Sequence, residues 1–326
     1  MAAPFALFRM NLRTLVDDAL DRTVIPGFSR LGPAIRSRVA GWEELPSLTG
    51  RTVLITGANG GLGLAASHAF AGLGASLRML VRDPERGERA RAAVVAASGN
   101  EDVRCELLDV SLRSSVRAFC DRFADPVHVL VHNAGVLPLE RRETAEGVEL
   151  TLATNVVGPH LLTRLLRDRL VQSAPARVIW VSSGGMYTRR VCVDDLEYRH
   201  GTFKGPTAYS RTKRAEVILS ELWSRELAGT GVVVNAMHPG WAATPGIKDA
   251  IPGFSTVMRP LLRTPEQGAD TIVWLASAER AGRETGGFYC DRRRRPTHRL
   301  ARTRESEDER AALWRAVEDL ASRESV

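Results

Sequence analysis

Hydrophobic positions along this chain fall into two alternating kinds of stretch. Short runs rich in Val, Leu and Ile occupy Val53–Ile55, Ala75–Val81, Val103–Leu108, Val127–Val131, Arg177–Val181 and Val232–Met237. They are too short for stable helices and rich in β-branched residues, so they read as buried strands. Between them, apolar residues recur every three to four positions in Leu64–Gly74, Glu85–Ala97, Ser111–Phe123, Leu150–Leu170 and from Tyr209 to Ala228, which read as helices. Strand and helix alternating in this way predict an α/β chain built on one doubly wound parallel sheet with flanking helices.

The pattern divides the chain into three parts. Residues 51–290 carry the alternation and form the expected domain. Residues 1–50 form an N-terminal helical extension, in which Phe5, Phe8, Leu12, Leu15, Val16 and Ala19 make one apolar face. That face packs on protein or lies on a membrane surface. Asp17, Asp18 and Asp21 weigh against the membrane. Residues 291–326 form a basic C-terminal segment, with Arg292–Arg295, Arg299, Arg302 and Arg304 expected to be solvated, and a last helix over Glu305–Ser322.

The first strand runs into Gly57-Ala58-Asn59-Gly60-Gly61-Leu62-Gly63 and then a helix. Strand, glycine turn and helix deliver backbone N–H groups to a pyrophosphate at a positive helix end. Side chains at Gly61 or Gly63 would block that approach or hold the helix off the sheet. Gly57, Asn59, Gly61, Leu62 and Gly63 are therefore candidate cofactor-binding residues. A tight βα turn of no function could use the same glycines.

Composition narrows the reading only in part. The 326 residues have a net charge of +7, carried mostly by arginine, which favours anionic partners without choosing among them. No nucleic-acid reading motif accompanies the charge, so nucleic acid is not an expected partner. Cys105, Cys120, Cys192 and Cys290 are scattered, which suggests neither a metal site nor disulfides and suits a reducing, cytoplasmic setting. No apolar run is long enough to span a bilayer.

The second strand ends at Val81-Arg82. In such sheets that end meets the adenosine ribose, and an arginine instead of a carboxylate favours a 2′-phosphate, hence NADP(H) over NAD(H). A solvated surface arginine is the bland alternative. Asp109, after the third strand, either accepts from an adenine amino group or caps the following helix. Asn133-Ala134-Gly135 closes the fourth strand, where small residues let the backbone pass close to a ligand.

Tyr209 and Lys213 are four apart, so on a helix they share a face. A phenol with an ordinary pKa of ~10 is a weak acid–base catalyst at neutral pH, and a nearby ammonium favours its ionised form. Ser183 can hydrogen-bond a substrate oxygen, and Asn155 can hold a water or a backbone group. Each is weak evidence alone. Together with the glycine turn, in this order, they form a constellation.

The set Thr56-Gly57-x-x-x-Gly61-x-Gly63, Asn133-Ala134-Gly135, Asn155, Ser183, Tyr209 and Lys213 resembles the short-chain dehydrogenase/reductase family over roughly residues 50–290. Val181–Met186, Met237–Ala242 and Phe288–Arg292 are similar to one group in it, the dehydrogenase/reductase family member twelve proteins. The resemblance implies a single Rossmann-type domain, a nicotinamide cofactor and a carbonyl/alcohol substrate pair. It implies that Tyr209 is the acid or base, that Lys213 also holds the nicotinamide ribose, that Ser183 rather than Ser182 positions substrate, and that Asn155 completes the catalytic set. Pro239, Gly240 and Thr244 then contact the nicotinamide half. One departure is the gap of 26 residues from Ser183 to Tyr209, longer than the common family pattern, which predicts an inserted loop beside the site. Retinol- and lipid-active members share a long gap, implying an apolar substrate, and the apolar content of 245–262 suits one or the ordinary packing of a surface helix pair. A homo-oligomer is compatible with the same resemblance. The alternative reading is a dinucleotide-binding scaffold without turnover. A sugar-nucleotide epimerase is a third.

Overall fold

The computed structural model describes residues 14–243 and 259–323. Thr244 and most of the apolar 245–262 segment lie outside the described residues.

Eight strands form one sheet, β1 (Thr52–Thr56), β2 (Ser76–Val81), β3 (Val103–Leu107), β4 (Val129–His132), β5 (Ala176–Val181), β6 (Val232–Met237), β7 (Phe288–Cys290) and β8 (Arg293–Arg294). Their order is β3-β2-β1-β4-β5-β6-β7-β8. Every pairing is parallel except β7 with β8. The chain winds outward from β1 to β3, then returns to place β4 beside β1 with Val53 opposite Val129. That reversal opens a crevice at the carboxyl ends of β1 and β4, where a doubly wound sheet takes its ligand. Both sheet faces are covered, which is why β1 and β4 are buried at every position and read as continuous apolar runs. One core lies between the sheet and the helices Gly61–Gly72, Pro84–Ser98 and Pro265–Ser277. The other lies on the opposite face under Arg113–Arg122, the long helix through Gln172, Gly205–Glu226 and Glu307–Ser322.

Local chemistry sets the helix ends. Asp83 accepts from Arg86 N with Pro84 in the first turn, and Thr264/Gln267 and Ser306/Glu309 form reciprocal capping boxes. The Arg113–Arg122 helix is different. Its first N–H groups, Arg113 N and Ser114 N, donate to Glu146 at 2.7 and 2.9 Å, a cap from 33 residues away. Asp109 instead closes a turn on Ser111, accepting from its N at 2.9 Å and its Oγ at 2.7 Å.

The extension and the basic tail hold one another. Residues 14–22 are helical, followed by Val24–Phe28 and Leu31–Ala40. The side of the first helix that faces protein carries Asp17 and Leu20, whereas Leu15, on the expected apolar face, is exposed. Asp17 accepts from Arg36 at 2.7 Å and from both terminal nitrogens of Arg295 at 2.7 and 2.8 Å. Asp21 accepts from Arg299, and Asp291 from Arg36 and Arg263. The tail expected to be solvated thus buries Arg295 against carboxylates of the extension. No described helix is long and apolar enough to cross a membrane.

Candidate active site

The crevice begins with a threonine. Thr56 Oγ1 accepts from both Asn133 N and Ala134 N at 3.0 Å, and Asn133 Nδ2 donates to Thr56 O at 2.9 Å. These bonds bind the ends of β1 and β4 together. Gly57 and Gly61 have φ of 67° and 53°, left-handed values that favour glycine. A Cβ on Gly63 would stand 2.2 Å from Gly57 O and 2.5 Å from Asn133 Nδ2, so no side chain fits there. The helix then starts at Gly61 behind Gly60, which brings no side-chain cap. A twelve-residue helix with its first turn uncapped, aimed at the crevice, fits a dinucleotide pyrophosphate. Leu62 packs towards Gly268 and Asn59 stays on the turn, half-buried. Arg82 is exposed just past β2.

Across the crevice, the Gly205–Glu226 helix carries Tyr209 and Lys213 on one face, with Lys213 Nζ 5.4 Å from the centre of the Tyr209 ring. Lys213 is buried and donates to Val181 O at 2.9 Å and Glu216 Oε1 at 2.7 Å. Ser182 Oγ donates to Lys213 O at 2.7 Å, tying the end of β5 to this helix and leaving Ser183 as the next residue. Ser183 Oγ accepts from Gly185 N at 3.2 Å, which leaves its own hydrogen free to donate.

Asn155 sits in a π-helical turn, Ala153–Val157, within the helix that runs from Leu150 to Gln172. Such turns occur often at functional sites. Fully buried, Asn155 accepts from Val136 N at 3.0 Å and donates to Thr212 Oγ1 at 3.0 Å, which in turn donates to Tyr209 O. Gly135 lies where a Cβ would come 3.4 Å from Lys213 Nζ and 3.5 Å from Asn155 Oδ1. The candidate residues Asn133, Ala134, Gly135, Asn155, Ser183, Tyr209 and Lys213 therefore converge at the carboxyl ends of β4 and β5. Pro239 and Gly240 follow β6. Gly240 has φ 71°, and a Cβ there would meet Arg263 and Phe28 O.

Three contributors escaped the sequence reading. Thr212 and Glu216 act through contacts that only the fold creates, although the spacing of Lys213 and Glu216 could have flagged the pair. The third is Phe28 of the extension. Its ring lies 4.7 Å from that of His238 and covers Gly184, and its carbonyl accepts from Trp241 N at 2.8 Å. The loop inserted after Ser183 starts at this place and runs against the Gly205–Glu226 helix, with Arg211 over the Tyr198 ring at 4.4 Å. Tyr187 in that loop is buried and donates to Pro296 O.

Residues 51–252 match the family model described as short chain dehydrogenase. The chain belongs to the short-chain dehydrogenase/reductase family. It is similar to dehydrogenase/reductase SDR family member 12 of Bos taurus, 38% identical over 84% of this chain and 87% of the relative. It is also similar to human retinol dehydrogenase 13, at 33% identity over 82% and 83%. Among solved structures, an uncharacterised protein from Mycobacterium paratuberculosis superposes with a TM-score of 0.70 at 31% identity, covering 87% of this chain and 97% of that one. This short-chain dehydrogenase/reductase is thus an NAD(P)-dependent oxidoreductase with a Rossmann-type sheet.

Proposed function

We propose that this oxidoreductase interconverts a carbonyl and an alcohol on an apolar substrate, with NADP(H) as cofactor and Tyr209 as acid and base. The observation that carries the proposal is the meeting of Tyr209, Lys213 and Asn155 beside Ser183 at the mouth of the glycine turn. The cofactor, when bound, supplies or takes the hydride. Gly57, Asn59, Gly61, Leu62 and Gly63 would hold its pyrophosphate, Asp109 its adenine, and Asn133, Ala134, Gly135, Pro239, Gly240 and Thr244 its nicotinamide half. Arg82 would take the 2′-phosphate, since guanidinium pairs well with phosphate.

In reduction, Ser183 donates to the substrate oxygen and Tyr209 gives it a proton. Lys213 has three N–H donors, of which Val181 O and Glu216 use two. The third is left for the cofactor ribose. Its charge favours the Tyr209 phenolate that follows proton release. Asn155 fixes the backbone of Val136 and, through Thr212, the Tyr209 turn. The apolar substrate rests on the long loop after Ser183 and on the relatives named retinol dehydrogenases.

A turnover screen of aldehydes, ketones, retinoids and sterols with NADPH and NADH identifies a working substrate. On it, Tyr209→Phe removes one oxygen and leaves the ring. Cofactor binding, followed by nicotinamide fluorescence, should persist while turnover falls by about 10²–10⁴-fold or more. Near-parental turnover in Tyr209→Phe would remove Tyr209 from the mechanism.

A further inference from the structure

We infer that Glu216 is a positioning residue of this active site, holding Lys213 in its charged form and aiming it at Tyr209. The inference rests on the reading of Lys213 as a catalytic group. Glu216 lies three residues after Lys213 on the same helix, with its side chain 4% exposed and that of Lys213 3%. Oε1 accepts from Nζ at 2.7 Å, and Oε2 has no hydrogen-bond partner among the described residues. A buried, half-satisfied ion pair is a poor stabiliser, and an apolar side chain would pack the position at least as well. What the carboxylate does provide, once ionised, is a negative charge against the Lys213 ammonium, which lies 5.4 Å from the Tyr209 ring centre.

The remaining ionisable groups around the pair are engaged elsewhere. On the same helix, Arg214 is held by Glu305. Glu149, before the π turn, accepts from Thr151 N and Leu152 N. His132 on β4 meets Thr163, His160 on the long helix meets Glu318, and burial pushes both histidines below their ordinary range. Arg177 of β5 donates to Leu275 O and Ala278 O, Tyr187 to Pro296 O, and Arg310 of the last helix is held by Glu221 and Glu305. Glu216 is therefore the carboxylate that answers Lys213. Burial works to lower the Lys213 ammonium, but Glu216 and then Tyr209 outweigh it and hold the ammonium above the ordinary lysine range. Burial pushes the Glu216 carboxyl up to about 8, with Lys213 restraining it. At the alkaline pH where lysines titrate, it is ionised.

The chain has three lysines, Lys204, Lys213 and Lys248. Labelling lysine with ¹³C at the ε carbon gives three resonances, assigned with Lys204→Arg and Lys248→Arg. In the parent, the Lys213 resonance should titrate above the other two. In Glu216→Gln, which keeps the shape and the acceptor but removes the charge, its midpoint should fall by ~1–3 pH units, the shift an opposite charge at contact distance produces. The alkaline limb of kcat/KM should move down with it. If Glu216→Gln does not fold, Glu216→Met carries the same expectation, having no charge and no polar atom to desolvate. A Lys213 midpoint equal in parent and variant overturns the inference, because a purely structural glutamate leaves that titration in place. The outcome is separable from the catalytic reading. Active Tyr209→Phe defeats that reading alone, and an unmoved Lys213 midpoint with inactive Tyr209→Phe defeats this inference alone.

Discussion

Asp291→Asn tests whether the buried charges joining extension, tail and site carry the stability of the fold. Asp291 follows β7 with φ of 53°, a left-handed value that asparagine also tolerates, so the substitution changes charge with little backbone strain. Its carboxylate is buried and accepts from Arg263 Nη1 at 2.7 Å and Nη2 at 3.0 Å, and from Arg36. Arg36 keeps Asp17 when Asp291 is neutralised. The other side-chain hydrogen bonds of Arg263 go to the carbonyls of Gly27, Phe28 and Ser29, which solvate the guanidinium without cancelling its charge. Removing one partner of a buried pair costs about 3–5 kcal/mol. At about 2.1 cal/mol/K of unfolding entropy per residue, a chain of 326 residues melts roughly 1.5 °C lower per kcal/mol, so the fall should be roughly 4–8 °C. The same loss reaches the site, because Arg263 and Phe28 O flank Gly240, and Arg263 N donates to Trp241 O at 2.8 Å. Thermal unfolding followed by circular dichroism, with the exposed Arg82→Asp as control, gives the comparison. A variant melting within about 1.5 °C of the parent would refute the reasoning, since an uncompensated buried guanidinium cannot cost less than about 1 kcal/mol.

Two further outcomes follow from the cofactor side. Arg82→Asp should reduce or invert a preference for NADPH over NADH in fluorescence titrations, by roughly ten- to a hundred-fold for a charge-assisted bond of about 1.5–3 kcal/mol; equal binding of both cofactors by the parent would sink the assignment. Gly63→Ala should weaken dinucleotide binding by at least about tenfold and lower the melting temperature, because the added carbon meets the Gly57 carbonyl and the Asn133 amide; unchanged affinity by calorimetry would mean that the turn does not hold the cofactor.

Periodicity determined the alternating architecture of this protein, because the residues it needs are local. Val53, Leu54 and Ile55 are apolar on both faces, which a doubly covered parallel strand requires. The glycine turn and the Tyr209/Lys213 spacing were legible for the same reason, since a tight turn and one helical face are short-range facts. The final helix was legible too, with Leu313, Val317 and Leu320 buried as their spacing predicts. The tertiary structure decided what depends on distant partners. Asp17 and Arg295 look like surface charges until β7 and β8 bring them to 2.7 Å, and Glu146 caps a helix from 33 residues away. Strands β7 and β8, with three and two residues, are too short to carry a period of their own; β7 pairs with the edge of β6 and β8 with β7. Glu216 lies three residues from Lys213 in any helix, but only the fold buries both side chains around a contact of 2.7 Å. A side chain's chemistry is written in the sequence, but the dielectric around it and the partner across from it are set by the fold.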